Sequence, residues 1–175
     1  AGAPYDTDAG ADAGAAYLLL GGPSEWGLRK SLGQSPVIKY TGKGGDWAGQ
    51  RVAGAGDVTA DGFADFLVGA DGNGDAGTRA GAVYLVLGST SPAGGPLASA
   101  IQYTGETDFD GAGFSVAGAG DVNGDGFADF LTGAPHNVDG GAVYLVLGTS
   151  SPAGGSLAAT IRYIGEASYD EAGTS

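Results

Sequence analysis

Two segments of the chain carry oxygen-bearing side chains at the same spacing. The segments are GDVTADGFAD at 56–65 and GDVNGDGFAD at 120–129. Counted from the first aspartate of each, the oxygen-bearing side chains stand at positions 1, 3, 5 and 9, and glycine stands at position 6. This spacing lets a short loop wrap a cation that takes about six to eight oxygens, and the backbone carbonyl of position 7 would add another ligand. The candidate ligands are Asp57, Thr59, Asp61, Phe63 and Asp65 in the first loop and Asp121, Asn123, Asp125, Phe127 and Asp129 in the second.

The ion that this pattern predicts is Ca²⁺, at two sites. Three carboxylates held in one loop would repel one another by about 1 kcal/mol per pair at about 4 Å even in water, and a cation removes that cost. Mg²⁺ suits the loop less well because it keeps its waters and demands an octahedron. An EF-hand is excluded, since its twelfth position must be glutamate and here holds Val68 or Thr132. Ordinary Asp-Gly turns are the simpler alternative, and the matched recurrence argues against it.

The loops belong to an internal repeat, which determines the elements that must position them. AGAGDVTADGFADFLVGAD at 53–71 returns 64 residues later as AGAGDVNGDGFADFLTGAP at 117–135, and GAVYLVLG follows in both copies. A third, more diverged copy lies at the N-terminus, and Tyr17, Tyr84 and Tyr144 mark equivalent points. A period of this length is typical of repeat architectures.

Each unit contains four short apolar runs separated by Gly, Pro, Asp and Ser clusters, which predicts strands and turns. In the middle unit we expect strands at residues 51–56, 64–68, 82–87 and 99–104. The third run, AVYLVL, is apolar throughout, which predicts that both of its faces are covered. The alanines and glycines of the first run predict a close backbone approach.

Four-stranded units that cover one another predict an all-β fold, a β-propeller, in preference to a linear β-solenoid, whose coils are usually less than half as long. We expect a partial blade at 1–49, complete blades with calcium loops at 50–113 and 114–173, and the start of a next blade at 174–175. Joining tail to head would omit the counterparts of residues 116–132. We therefore expect an excerpt of a longer propeller, with closure by homo-oligomerisation as the other possibility.

Composition excludes several functions. A net charge of −13 with only 7 Lys and Arg argues against nucleic-acid binding, and no apolar run is long enough for a membrane span. The chain has no Cys and one His, so we expect no enzyme activity. His136 is interpreted as a solvated side chain, and Asp108 and Asp110 as turn residues rather than a glycosidase pair.

The sequence resembles the FG-GAP repeats of the integrin α-subunit β-propeller and its bacterial relatives. Phe114 follows a glycine as in the FG element, the acidic loop comes next, and GAP stands at 133–135. The resemblance implies a propeller of about seven blades, with the loop residues as calcium ligands. Three residues of the middle unit depart from the pattern. Thr59 replaces an acidic or amide ligand, so we expect the first site to be the weaker one, and Gln50 and Asp71 replace the Phe and the Pro.

The expected function is a calcium-stabilised, non-enzymatic adhesion or interaction module, extracellular or at the cell surface, whose protein or glycan partner is unknown. Two alternatives stay open: an accessory propeller of a secreted hydrolase or lyase, and a self-assembling structural tile. The connection at 21–36 is charged and unlike its SPAGG counterparts, so we expect recognition there and only spacers in the SPAGG loops. Trp26 and Trp47 are interpreted as wedges between blades rather than as an exposed ligand-binding patch.

Overall fold

The computed structural model describes residues 1–20, 37–167 and 169–175, and its architecture is all-β. The strands are β1 (Gly2–Ala3), β2 (Ala15–Leu19), β3 (Val37–Thr41), β4 (Arg51–Gly56), β5 (Asp65–Ala70), β6 (Ala82–Val86), β7 (Gly95–Pro96), β8 (Ile101–Thr104), β9 (Ser115–Gly120), β10 (Asp129–Ala134), β11 (Ala142–Val146), β12 (Gly155–Ser156) and β13 (Ile161–Ile164). Two single-turn 3-10 helices, Leu97–Ser99 and Leu157–Ala159, precede β8 and β13. Neither of these described helices is long or apolar enough to cross a membrane.

In the part of the chain that the structure describes, the strands form three sheets, one for each repeat. The first sheet has the order β1-β2-β3-β7, the second β12-β8-β6-β5-β4 and the third β13-β11-β10-β9. Within a unit, successive long strands pair antiparallel, as a meander of short connections requires. The arrangement is that of a partial β-propeller and confirms the predicted fold class. The second predicted strand begins one residue later than expected and continues to Ala70, and the fourth begins at Ile101 after a 3-10 turn.

Neighbouring sheets bury each other's faces. All five residues of β6 are buried, which confirms that this strand is covered on both sides. The ring of Tyr40 in the first sheet packs edge to face against that of Phe66 in the second sheet, with 5.4 Å between the ring centres. Tyr103 of the second sheet packs in the same way against Phe130 of the third, at 5.5 Å. Such aromatic pairs contribute about 0.5–1.5 kcal/mol beyond the area they bury. The same contact therefore holds both junctions between sheets.

The first strands of the second and third units, β4 and β9, lie against each other through small residues. A Cβ added at Gly118 would stand 2.6 Å from the carbonyl oxygen of Gly54, closer than any real side chain tolerates. The predicted close backbone approach is confirmed at this position. Glycine is required there because the neighbouring backbone occupies the space of a side chain.

The SPAGG loops are not spacers, so that prediction was wrong. Each reaches back to the preceding sheet and adds a short parallel strand to its edge: β7 pairs with β3, and β12 pairs with β8. A Cβ at Gly94 or Gly154 would lie 2.2 or 2.4 Å from a carbonyl oxygen of the receiving strand. The glycine pair thus allows the pairing, and the leucine that follows it, Leu97 or Leu157, is fully buried.

Candidate functional site

Each acidic loop is wound around the carboxylate at its first position. In the loop between β4 and β5, Asp57 accepts hydrogen bonds from the backbone amides of Asp61 at 3.0 Å and Gly62 at 2.8 Å. In the loop between β9 and β10, Asp121 accepts from the amides of the same two positions at 3.1 and 2.8 Å. These bonds lower the pKa of Asp121, the amide of Gly126 most of all. The repeated sequence therefore produces the same backbone turn twice.

The fifth positions reinforce the turn. The Asp61 carboxylate accepts from the amide of Phe63 at 2.9 Å, and the equivalent bond to Asp125 in the second loop is 3.0 Å long. Asn123 adds a bond that the first loop lacks, because its side-chain amide donates to the Asp125 carboxylate at 2.8 Å. The second loop thus links its third and fifth positions directly.

The ninth positions have a structural role that the sequence analysis did not assign. Asp65 and Asp129 are buried, and each accepts two backbone amides. Asp65 takes those of Val58 at 2.8 Å and Gly88 at 2.7 Å, and Asp129 takes the equivalent pair at 2.8 and 2.7 Å. Each carboxylate thereby joins the start of its loop to the residues that follow the third strand. The recurrence of Gly88 as Gly148 was the available signal.

Burial raises the pKa of Asp65, and the charges of Asp61 and Asp57 raise it further, although the two amides that it accepts act in the opposite direction. The carboxylates of the first loop are therefore close enough to disfavour one another's charge. This is the electrostatic situation that a bound cation would relieve.

The third position of the first loop holds an unsatisfied atom. Thr59 Oγ1 is buried and makes no hydrogen bond. Among the residues that the structure describes, one carboxylate oxygen of Asp71 is in the same state. A buried polar atom without a partner costs about 1–3 kcal/mol. An oxygen in that state, at a position where the spacing predicts a ligand, fits the donor set of a hard cation.

Comparison with known families matches residues 48–86 and 112–146 to the FG-GAP repeat. Two units of this chain are FG-GAP repeats. Each match extends from the end of one connection, through the acidic loop, to the third strand of the unit. No curated protein matches the chain. The resemblance seen in the sequence is confirmed for the second and third units.

The two FG-GAP loops do not draw their carboxylates into one cluster. Among the described residues, no group of three or more His, Cys, Asp or Glu side chains is arranged to hold a metal. The loop carboxylates face backbone amides instead, which uses part of their capacity, since each carboxylate offers about four lone-pair sites. The ligand assignment of the ten loop residues therefore stays a prediction.

The other polar candidates are explained by local structure. Asp108 accepts the amide of Thr78 at 2.8 Å, and buried Asp110 accepts both the amide and the hydroxyl of Thr107 at 2.8 Å. These bonds agree with a structural role for both residues. His136 is exposed and touches the ring of Phe114 edge to face at 6.2 Å.

Trp47 is half-buried, and the Arg79 guanidinium lies 4.6 Å from its ring centre. Trp47 belongs to the connection after β3, and Arg79 to the loop between β5 and β6, so the contact joins the first and second units. This agrees with a packing role for Trp47. The predicted recognition segment 21–36, with Trp26, lies outside the described residues.

Proposed function

We propose that this chain is a calcium-stabilised, non-enzymatic adhesion or interaction module that works outside the cell or at its surface. The observation that carries the proposal is the acidic loop, built twice around an amide-wrapped first carboxylate and holding an unpartnered hydroxyl at Thr59. Two units of the chain are FG-GAP repeats, and their resemblance to the integrin-α-like type supports such a role.

Ca²⁺ would be held by the five ligand positions of each loop. Its chemistry there is electrostatic, because it neutralises carboxylates that otherwise repel one another. The chain's own contribution is the prepared turn: Asp57 and Asp121 fix the loop backbone, and Asp65 and Asp129 tie it to the sheet. Free calcium at about tenfold above the dissociation constant would stabilise the folded chain by about 1.4 kcal/mol per site.

An extracellular setting fits a calcium site of modest affinity. Loop sites in extracellular modules bind calcium at about 10⁻⁴–10⁻³ M, which matches the calcium level outside cells rather than that of the cytosol. A non-enzymatic role is supported by the use of the acids, which hold backbone amides in turns and loops.

The test is thermal unfolding of the full chain in excess calcium and in EGTA, with two matched variants. We expect calcium to raise the midpoint, Asp121→Asn to lose about half of that rise, and Asp12→Asn to keep all of it. Asp12 is exposed and lies outside both loops, so its variant removes the same charge elsewhere. Equal midpoints with and without calcium in the unmodified chain would exclude the ion.

Adhesion is tested separately by measuring retention of the chain on immobilised cell-surface glycans and proteins. We expect retention in calcium that is reduced in EGTA. Retention that is absent under both conditions, in a chain whose midpoint responds to calcium, would leave the metal sites in place and overturn the adhesion role.

A further inference from the structure

A cleft of about 380 Å³ lies in the third unit, between the loop that follows β10 and the connection that follows β13. We call it the third-unit cleft. Its walls include Val138, which is 78% exposed, Tyr169, which is 94% exposed, and the polar residues His136, Asn137 and Glu171. Binding sites for small molecules usually have about 300–1,000 Å³ and combine aromatic side chains with a few polar groups. The third-unit cleft has both properties.

Asn137 brings a buried hydrogen-bond donor to this cleft. The residue is 4% exposed, and its side-chain oxygen accepts the amide of Asp139 at 3.2 Å. In the part of the chain that the structure describes, its side-chain amide donates to no acceptor, which leaves two N–H groups unused. The equivalent amide of Asn73 in the second unit donates at 3.1, 3.1 and 3.2 Å to Asp46, Asp75 and Tyr84.

The amide of Asn137 is unpartnered because the equivalent acceptors have other partners. Asp110, the counterpart of Asp46, accepts two backbone amides and a hydroxyl within its own turn. Asp139 pairs with Arg162 at 2.9 Å, and the Tyr144 hydroxyl donates to Glu106 at 2.7 Å. A buried donor without an acceptor is unfavourable, so a ligand oxygen at this point would be bound in preference to an apolar atom.

Tyr169 and Glu171 are held in a backbone conformation that disfavours side chains. Both have left-handed backbone, with φ of 74° and 51°. Each of the other units has glycine at one of these two positions, Gly45 in the first and Gly111 in the second, with φ of 86° and 67°. Only the third unit carries a side chain at both. Strain of this kind clusters where a function requires the side chain.

The third-unit cleft does not depend on the absence of a neighbouring unit. In the second unit the equivalent connection also lies against the loop of its own unit, since the Phe109 amide donates to the Thr78 carbonyl at 2.7 Å. Phe109 occupies the position of Tyr169 at the junction with the third unit, and it is still 57% exposed. The position of Tyr169 is therefore open to solvent with a following unit in place.

The side chains of the cleft fit the chemistry of an uncharged sugar. One hydroxyl oxygen of a sugar ring can accept from the Asn137 amide, and a second hydroxyl can donate to the Glu171 carboxylate. The apolar face of the ring can pack against Tyr169. An apolar ligand would leave the Asn137 donor unpaired. An anionic ligand would be repelled by Glu171 and by the net charge of −13.

We propose that the third-unit cleft binds a neutral saccharide, with Asn137 as the hydrogen-bond donor, Glu171 as the acceptor and Tyr169 as the stacking surface. This inference rests on the proposed function, because it names the class of glycan that the adhesion module recognises. The second unit does not have the site, since the amide of Asn73 is engaged and Gly111 has no side chain.

The first test is native electrophoresis of the full chain, in calcium, through gels with and without galactomannan or xyloglucan, two uncharged polysaccharides. We expect at least one of them to retard the chain. Tyr169→Ala should weaken the binding about three- to tenfold, and Tyr169→Phe should keep it. Phe109→Ala is the matched control, because it removes an aromatic side chain from the equivalent position of the second unit and should leave the retardation unchanged.

Two further variants separate binding from folding. Asn137→Leu removes the donor and should weaken binding about tenfold. Glu171→Gly introduces the residue of the second unit, and it should weaken binding while raising the thermal midpoint, because glycine relieves the left-handed backbone. A residue with a structural role alone would not give these opposite changes. A Glu171→Gly variant that binds as well as the unmodified chain overturns the role of Glu171.

The charge of the ligand is tested by saturation-transfer NMR with methyl glucoside, methyl galactoside, methyl mannoside and methyl glucuronide. We expect signals from at least one neutral glycoside, which Asn137→Leu strongly reduces, and weaker signals from the glucuronide. Stronger binding of the glucuronide than of every neutral glycoside overturns the neutral class.

Failure of the site and failure of the proposed function give different results. The site is overturned if neither polysaccharide retards the chain, or if Tyr169→Ala and Asn137→Leu both leave the retardation intact. In either case, a chain that still responds to calcium and is retained on cell-surface glycans or proteins keeps the proposed function, with its contact elsewhere.

Discussion

The second and third FG-GAP units have nearly the same sequence and yet differ in what surrounds them. Val58 is 1% exposed and its counterpart Val122 is 52% exposed. The loop of the second unit is covered by the third, whose Ala128 and Thr149 amides donate to the carbonyls of Asp57 and Val58 at 3.0 Å. The difference shows that the loop's internal bonds come from its own sequence, whereas its burial comes from the neighbouring unit.

The largest loss of unfolding free energy is expected for the ninth loop position, and it should be similar in the two units. Asp65→Ala and Asp129→Ala each remove two amide bonds to a buried carboxylate, worth about 1.5–3 kcal/mol apiece. We expect each variant to lose about 3–5 kcal/mol of unfolding free energy, measured by denaturant titration in EGTA. A large difference between the two losses would show that the strength of these hydrogen bonds depends on the neighbouring unit. The Asp→Asn variants, which retain an acceptor oxygen, should lose less.

A smaller effect should separate the units. Val58→Ala removes two buried methyl groups and should cost about 1.6 kcal/mol. Val122→Ala changes an exposed side chain and should cost less than about 0.5 kcal/mol. The pair is its own control, since the substitution and the loop are the same, and denaturant titration measures both. Similar losses at the two positions would contradict the burial of Val58 by the third unit.

Substitutions at the fourth loop position should change the stability of the chain in opposite directions in the two units. Ala60 and Gly124 both adopt left-handed backbone, with φ of 55° and 76°. Only glycine adopts this conformation without a steric penalty. We expect Ala60→Gly to stabilise and Gly124→Ala to destabilise the chain by about 0.5–1 kcal/mol each, because the steric penalty of about 1–2 kcal/mol is partly offset by the greater conformational entropy that glycine loses on folding. Thermal midpoints should move in opposite directions, and movement in the same direction would refute the shared turn geometry.

The smallest expected effect is on the stability of the chain at low pH. Hydrogen bonds from Gln102 and from Lys43 of the first unit hold the pKa of Asp75 at about 2, below its ordinary 3.8. Because the folded pKa is the lower one, the stabilisation is present above about pH 4 and is lost as the pH falls towards 2. Asp75→Asn should flatten the pH dependence of unfolding in that window, and Asp12→Asn should not. The effect should be small because Asp75 is partly exposed to solvent and salt.

The sequence was sufficient to predict the repeat, the strands and the acidic turn. These features depend on local patterns, such as glycine at position 6 and the apolar run that becomes β6. The roles of Asp65 and Asp129 were missed, because their amide partners Gly88 and Gly148 lie about twenty residues away and local patterns do not pair them.

The SPAGG loops were misread for a related reason. Their glycines and proline have the composition of a flexible connection, and only the approach of Gly94 and Gly154 to a neighbouring strand shows why the glycines are needed. Similarly, nothing in the sequence of β13 distinguishes it from β8, although Tyr163 is exposed and Tyr103 is not. Exposure of this kind is a property of the assembly of units.

The short strands β7 and β12 also constrain how such a chain can change in length. Each lies in one unit and completes the sheet of the unit before it, so an insertion or deletion of part of a unit separates a donor from its acceptor. Gain or loss of a whole unit preserves every donor–acceptor pair within the chain. Gene duplication in complete steps of the repeat period is therefore the route of elongation that leaves the existing sheets intact.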